Sequence, residues 1–172
     1  MKRILLIFTV SLFVFSCNQQ TNDCNCEFGY TIWGEDSRDT LVPGDLTHQE
    51  IWDKYIEAHN ERDVETIAMM DSDTIKIWGP RGEYIEGKEA HIEFLNQWFK
   101  DADPKWSTFF SMPSKTKGNA EKDAGWVTSG SIVNMKVDEQ EIRVNQAIDA
   151  YISDGLIQRF FVYERAEVPE SE

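Results

Sequence analysis

Helical spacing of apolar residues dominates between about residues 47 and 103, and strict alternation takes over after Pro104. "THQEIWDKYIEAHNERD" opens with Thr47 and has Glu50 three residues later, the arrangement in which side chains satisfy the orphaned amides of a helix start. Ile51, Tyr55 and Ala58 then share one face with Trp52, Ile56 and His59 beside it, which predicts a helix over about 48–60. Asp63 is placed to cap a second short helix, "VETIAMM". "DTIKIW" alternates as a strand does, and "GPRG" turns the chain. In "KEAHIEFLNQWFKD", Ile92, Leu95 and Phe99 recur at helical spacing with Trp98 alongside.

Beyond Pro104 come "KWSTFFSMP", "GWVTSGSIVNMKV", "QEIRVNQAIDAYI" and "LIQRFFVYE", separated by the turn-like "SKTKGNAEKD", "DE" and "SDG". Helices followed by antiparallel strands define an α+β chain, with a curved sheet of about five to six strands wrapped round three N-terminal helices. One domain with a substantial core fits residues 47–166. The acidic end 167–172, "EVPESE", reads as a solvated tail.

The opening is different. Lys2 and Arg3 precede an uncharged apolar run from Ile4 to Phe15, too short to span a bilayer as a helix, so residues 1–16 read as a secretory signal peptide. "VFSC" resembles the lipobox of bacterial lipoproteins, which implies lipidation of Cys17 and an anchor in the cell envelope. Asn18 after the cysteine then implies sorting to the outer membrane, and ordinary signal cleavage is the alternative. Residues 17–46 read as a tether, although Phe28, Tyr30, Ile32 and Trp33 are odd for a pure spacer and suit a short docked hairpin. Cys24 and Cys26 lie too close for a relaxed disulfide and do not complete a metal site.

Without residues 1–16 the chain keeps 15 Lys and Arg against 31 Asp and Glu. That balance argues against nucleic acid or an anionic lipid surface as partner, since both require a basic face.

"YIEAHNERDVETIAMMDSDTIKIWGPRGEYIEGKEAHIEFLNQWF", "GWVTSGS" and "AIDAYISDGLIQRFFVYE" together resemble the nuclear transport factor 2-like superfamily, in its SnoaL-like and ketosteroid isomerase branch. The shared features are a first helix running into Asn60, two residues and Asp63, a Gly-containing turn before the third helix, and a penultimate strand ending in Asp154-Gly155. The resemblance implies a cone: a bent antiparallel sheet closed by three helices around an apolar cavity. It also makes a homodimer through the open sheet an expectation.

Carried over residue by residue, the resemblance puts the oxyanion-hole tyrosine on Tyr55 and its acid partner on Asp149. The proton-shuttling base falls at Gly79, which has no side chain for the task. Alternation groups Asn145, Ala147, Asp149 and Tyr151 on one face, and the expectation is that this face turns inward so that Asp149 meets Tyr55. A bond from Asp149 to a backbone donor, Arg143 or Arg159 is the structural alternative.

His59, one turn after Tyr55, is a candidate acid or base, or a half-buried packing residue. His48 and His91 show no metal spacing. Trp78, Phe94, Trp98, Trp126, Asn145 and Tyr151 are candidate pocket residues, and filling the core is the simpler role for most of the aromatics.

No nucleophile elbow, phosphate loop, dinucleotide fingerprint or zinc pair is visible, so no cofactor is expected. Two functions follow. One is a membrane-tethered domain binding a small apolar or amphipathic ligand. The other is a cofactor-independent isomerase, cyclase or dehydratase using acid/base side chains of the same pocket. A purely structural role follows if side chains fill the cavity.

Overall fold

Asp45, not Thr47, starts the first helix. Its carboxylate accepts from the Thr47 amide at 2.9 Å, and α1 runs Leu46–Glu61. The helix stops at Arg62, which adopts a left-handed φ of 65°. Asp63 caps α2 (Val64–Met70) by accepting from the amide and hydroxyl of Thr66, at 2.9 Å and 2.6 Å.

The computed structural model describes residues 26–32, 37–118, 121, 123–138 and 140–166. The expected signal peptide, Cys17, Cys24 and the acidic tail lie outside the described residues. Cys26 is disulfide-bonded.

The strands are β1 (Gly29–Ile32), β2 (Arg38–Pro43), β3 (Asp71–Trp78), β4 (Tyr84–Glu86), β5 (Lys105–Thr116), β6 (Ala124–Val137), β7 (Gln140–Ser153) and β8 (Leu156–Ala166). The third helix, α3, is Lys88–Ala102. Among the described residues the sheet has eight strands, in the order β1-β2-β5-β6-β7-β8-β3-β4, where five to six were expected. The helices do not all precede the sheet either: the β1–β2 hairpin comes before α1, and β3 and β4 separate α2 from α3. The hairpin occupies part of the expected tether.

The pairs are antiparallel except β3 with β8. Register shifts in the β5–β6, β7–β8 and β3–β8 pairs break the ladders. Such bulges bend a strand and sharpen its twist, which is how long strands come to wrap a helical layer. Asp154 and Gly155 make the β7–β8 turn with φ of 53° and 75°, the left-handed pair that a two-residue hairpin demands.

The core lies between the helices and one face of the sheet. Trp52, Tyr55 and Ile56 of α1, Ile67 of α2, and Leu95 and Phe99 of α3 pack against Ile75, Val127, Val133, Val144, Ile148, Ile152 and Phe160. Asn60 fastens the end of α1 to β5 by donating to the Trp106 carbonyl at 3.0 Å and accepting from the Trp106 amide at 2.8 Å. Asn60 and Asp63 therefore have separate structural duties: one ties the helix to the sheet, the other begins the next helix.

Candidate functional site

The alternation of β7 resolves opposite to expectation. Val144, Gln146, Ile148, Ala150 and Ile152 are buried against the helices, whereas Asn145, Asp149 and Tyr151 are half-buried on the outer face. The inward set carries four apolar residues and one amide, so turning it to the core buries more apolar area. Asp149 accepts from the Thr128 hydroxyl at 2.7 Å on the neighbouring strand, and neither meets Tyr55 nor bonds an arginine. Trp78 and Trp126 share this outer face. Trp78 stacks on Phe161 with ring centres 4.5 Å apart, and Trp126 lies 5.1 Å from Tyr151. Trp78, Trp126, Asn145, Asp149 and Tyr151 thus do not line the cavity.

The cavity lies between helices and sheet, with a volume of about 120 Å³. Tyr55, His59, Phe94 and Trp98 line it, joined by Trp52, His91, Leu95, Trp106, Met135, Gln146, Ile148 and Phe160. Most of this wall is apolar, the ordinary lining of a small-molecule site.

One polar chain is built into it. The Tyr55 hydroxyl donates to Asp71 Oδ1 at 2.5 Å, and His91 Nδ1 lies 2.7 Å from Asp71 Oδ2. The carboxylate accepts from both, which places the His91 proton on Nδ1 and leaves Nε2 for a guest. Asp71 itself has no exposed surface. Burial raises the Tyr55 hydroxyl well above its ordinary pKa, and the adjacent Asp71 raises it further, so Tyr55 stays a phenol and a donor.

His59 is held differently. Its Nδ1 donates to the Tyr55 carbonyl one turn back at 2.7 Å, and its ring packs 4.5 Å from the Tyr55 ring. Burial lowers its pKa to about 3, against the smaller upward pull of that carbonyl. The ring is neutral near pH 7, with Nε2 as an acceptor. The ring centres of His59 and His91 are 6.0 Å apart.

A second chain crosses the cavity wall toward its mouth. Trp106 Nε1 donates to Gln146 Oε1 at 3.0 Å, Gln146 Nε2 donates to Glu164 Oε2 at 3.0 Å, and Arg81 pairs with Glu164 at 3.3 Å. Gly79 also lines the cavity, and a Cβ there would sit 2.5 Å from Glu83 Oε2. The space of the missing side chain at Gly79 is occupied by the carboxylate of Glu83, which accepts from the Arg81 amide at 2.8 Å.

The sequence reading missed Asp71, His91 as a site residue, and Gln146. His91 was legible, since it shares helical spacing with the buried Leu95 and Phe99. Counting back by twos from the buried Ile77 and Ile75 also reaches Asp71, although Asp73 between them is exposed and the register breaks there. Among the described residues, no three His, Cys, Asp or Glu side chains are grouped to hold a metal.

A bent, largely antiparallel sheet closed by three helices over an apolar cavity with a buried Tyr-Asp-His chain defines the class: an α+β cone domain of the nuclear transport factor 2-like superfamily. More narrowly, the SnoaL-like domain model matches residues 49–150, more than half of the chain, and the chain belongs to that family. No functionally curated protein matches it in sequence.

Solved structures agree on the fold. A protein from Kribbella flavida described as a candidate ketosteroid isomerase superposes with a TM-score of 0.57 at 15% identity, covering 76% of this chain and 86% of its own. A candidate polyketide cyclase from Xanthomonas campestris gives 0.57 at 16% identity, over 69% and 90%. An epoxide hydrolase of M. tuberculosis, described as LEH-like, gives 0.56 at 12% identity, over 67% and 80%. Identities this low carry the fold and not the reaction.

Proposed function

We propose that this chain is a lipid-tethered SnoaL-like domain of the bacterial envelope, anchored through Cys17 in the outer membrane, whose cone binds a small apolar or amphipathic molecule. The observation that carries the binding reading is a cavity with apolar walls in which His91, oriented by Asp71, keeps Nε2 for a guest. Size narrows the guest. An apolar cavity of about 150 Å³ accommodates benzene, so about 120 Å³ suits a molecule near one six-membered ring. A ring carrying one carbonyl or hydroxyl oxygen matches both the walls and the imidazoles.

The test is titration of the protein with single-ring ketones and phenols, followed by imidazole NMR. Movement of the His59 and His91 resonances at saturable ligand concentration is expected. No movement with any ring-sized compound overturns the binding reading.

The Tyr55–Asp71–His91 chain favours a second reading, a cofactor-independent isomerase, cyclase or dehydratase. His91 Nε2 takes a proton from the bound molecule, Asp71 steadies the imidazolium, and neutral His59 accepts a hydrogen bond nearby. Exchange of the α-protons of a bound cyclic ketone in D₂O is then faster with the protein than without it, and slower again in His91→Gln. Equal exchange with and without protein removes this reading and leaves the first.

The homodimer belongs to the same proposal. Phe109, Met112 and Tyr163 leave large apolar side chains exposed, which a second copy would cover.

A further inference from the structure

We propose that the β1–β2 hairpin seats the domain on a zwitterionic phospholipid surface through Phe28, Tyr30 and Ile32. These three side chains are 49%, 53% and 59% exposed, and the cavity makes no use of them. Tyr30 and Ile32 alternate along β1, the edge strand of the sheet, and so project from one face, and Phe28 immediately precedes the strand with its amide donating to the Leu41 carbonyl at 3.1 Å.

The register shows what accompanies them. Tyr30 lies opposite Thr40 and Ile32 opposite Arg38, while Val42 in turn lies opposite Lys115. Side chains directly opposite one another share a face, so Arg38 and Lys115 flank the apolar row. The Arg38 guanidinium sits 3.7 Å from the centre of the Tyr30 ring. Asp39 pairs with Thr31 and points to the other side. Lys117, near the same end, is already held by Glu27 at 2.7 Å.

An apolar and aromatic row edged by cations, in a chain with 31 acidic and 17 basic residues, is the chemistry of a membrane interface. The rings and the isoleucine enter the acyl boundary while Arg38 and Lys115 meet phosphate oxygens. The overall acidity selects a zwitterionic surface, because an anionic one repels the rest of the molecule. Phe28 follows Cys17 by eleven positions, at most about 40 Å of extended chain, so an anchored domain reaches the bilayer with this face. The inference rests on the proposed tether for that proximity alone.

The experiment compares the full chain carrying Cys17→Ser with the same chain carrying Phe28→Ser and Ile32→Ser as well. Both are sedimented with phosphatidylcholine vesicles. They share residues 1–25, so any difference belongs to the hairpin. Partitioning weaker by about ten-fold or more is expected in the triple variant, the loss of roughly 1.4 kcal/mol or more of apolar transfer. Amide exchange at Tyr30 and Ile32 in Cys17→Ser should slow when vesicles are added, a reading that needs no hairpin substitution. Equal partitioning of the two variants, vesicle binding by neither, or exchange indifferent to vesicles overturns the seat. A change of oligomeric state without a change of partitioning assigns the edge to a second copy and also overturns it. The tether is judged separately, by the mass of wild-type protein from membranes: no acyl mass at Cys17 removes the anchor, and the vesicle result still decides the seat.

Discussion

Asp71 Oδ2 lies 2.7 Å from His91 Nδ1, twenty residues away in the chain, and both side chains are buried. This contact ties the start of β3 to α3 and fixes which imidazole nitrogen is left for the cavity. Removing the carboxylate with Asp71→Ala leaves the Tyr55 hydroxyl and His91 Nδ1 without their partner, which costs about 2–5 kcal/mol of stability. Asp71→Asn should cost less and move the His91 proton to Nε2, because an amide nitrogen donates where the carboxylate accepted. Denaturant unfolding checks the first expectation and imidazole ¹⁵N shifts check the second.

His59 gives the protein an acid-labile element. Its pKa is about 3 in the folded state against 6.5 ordinarily, so between those values the unfolded chain binds a proton that the folded chain refuses. Its contribution is complete above about pH 6.5 and is lost as pH falls toward 3. The slope of unfolding free energy against pH over that window should flatten in His59→Phe by about one proton. An unchanged slope would place the acid sensitivity elsewhere.

Asn60→Ala should destabilise the fold by about 1–3 kcal/mol, since the half-buried Trp106 amide loses its acceptor and the Trp106 carbonyl a donor. Trp106 is also part of the cavity wall, so a lower melting temperature should come with a change in its fluorescence.

Two neighbours on β7 make a test of facing. Ile148→Trp puts bulk into a small cavity and should abolish binding of ring-sized ligands at a stability cost of about 1–3 kcal/mol. Asp149→Asn lies on the far side, bonded to Thr128, and should leave ligand affinity unchanged. Loss of affinity in Asp149→Asn with retained fold would contradict the facing described above.

If the outer sheet face joins two copies, Tyr163→Asp together with Met112→Asp should convert a dimer to a monomer by light scattering, with the fold kept. A monomeric wild-type protein at high concentration would remove the dimer.

Much of the architecture was legible along the chain because it depends on neighbours in sequence. The period of Ile92, Leu95 and Phe99 marks α3, Asp63 announces α2, and Asp154-Gly155 closes a hairpin by local backbone preference. The edges were harder. The apolar residues of the β1–β2 stretch suggested a short docked hairpin, but its strands gain their order by pairing with each other and with β5, and no local pattern reveals that pairing.

The candidate site divides in the same way. Tyr55, His59, Phe94 and Trp98 sit on helices whose buried stripe is periodic, and they line the cavity. Residues on strands fared worse. Alternation separates Asp149 from Ile148 but is symmetric between inside and outside, and matching to a family pattern chose the wrong side.

The sequence by itself determined the helices, the long strands, the turn chemistry and the pairs of faces, because each follows from spacing over a few residues. Only the tertiary structure decided that Gln146 and Ile148 look inward, and that among 31 acidic residues Asp71 receives Tyr55 and His91. The reason is physical: a buried carboxylate needs donors from elements distant in the chain, and that geometry exists only once helices and sheet have packed.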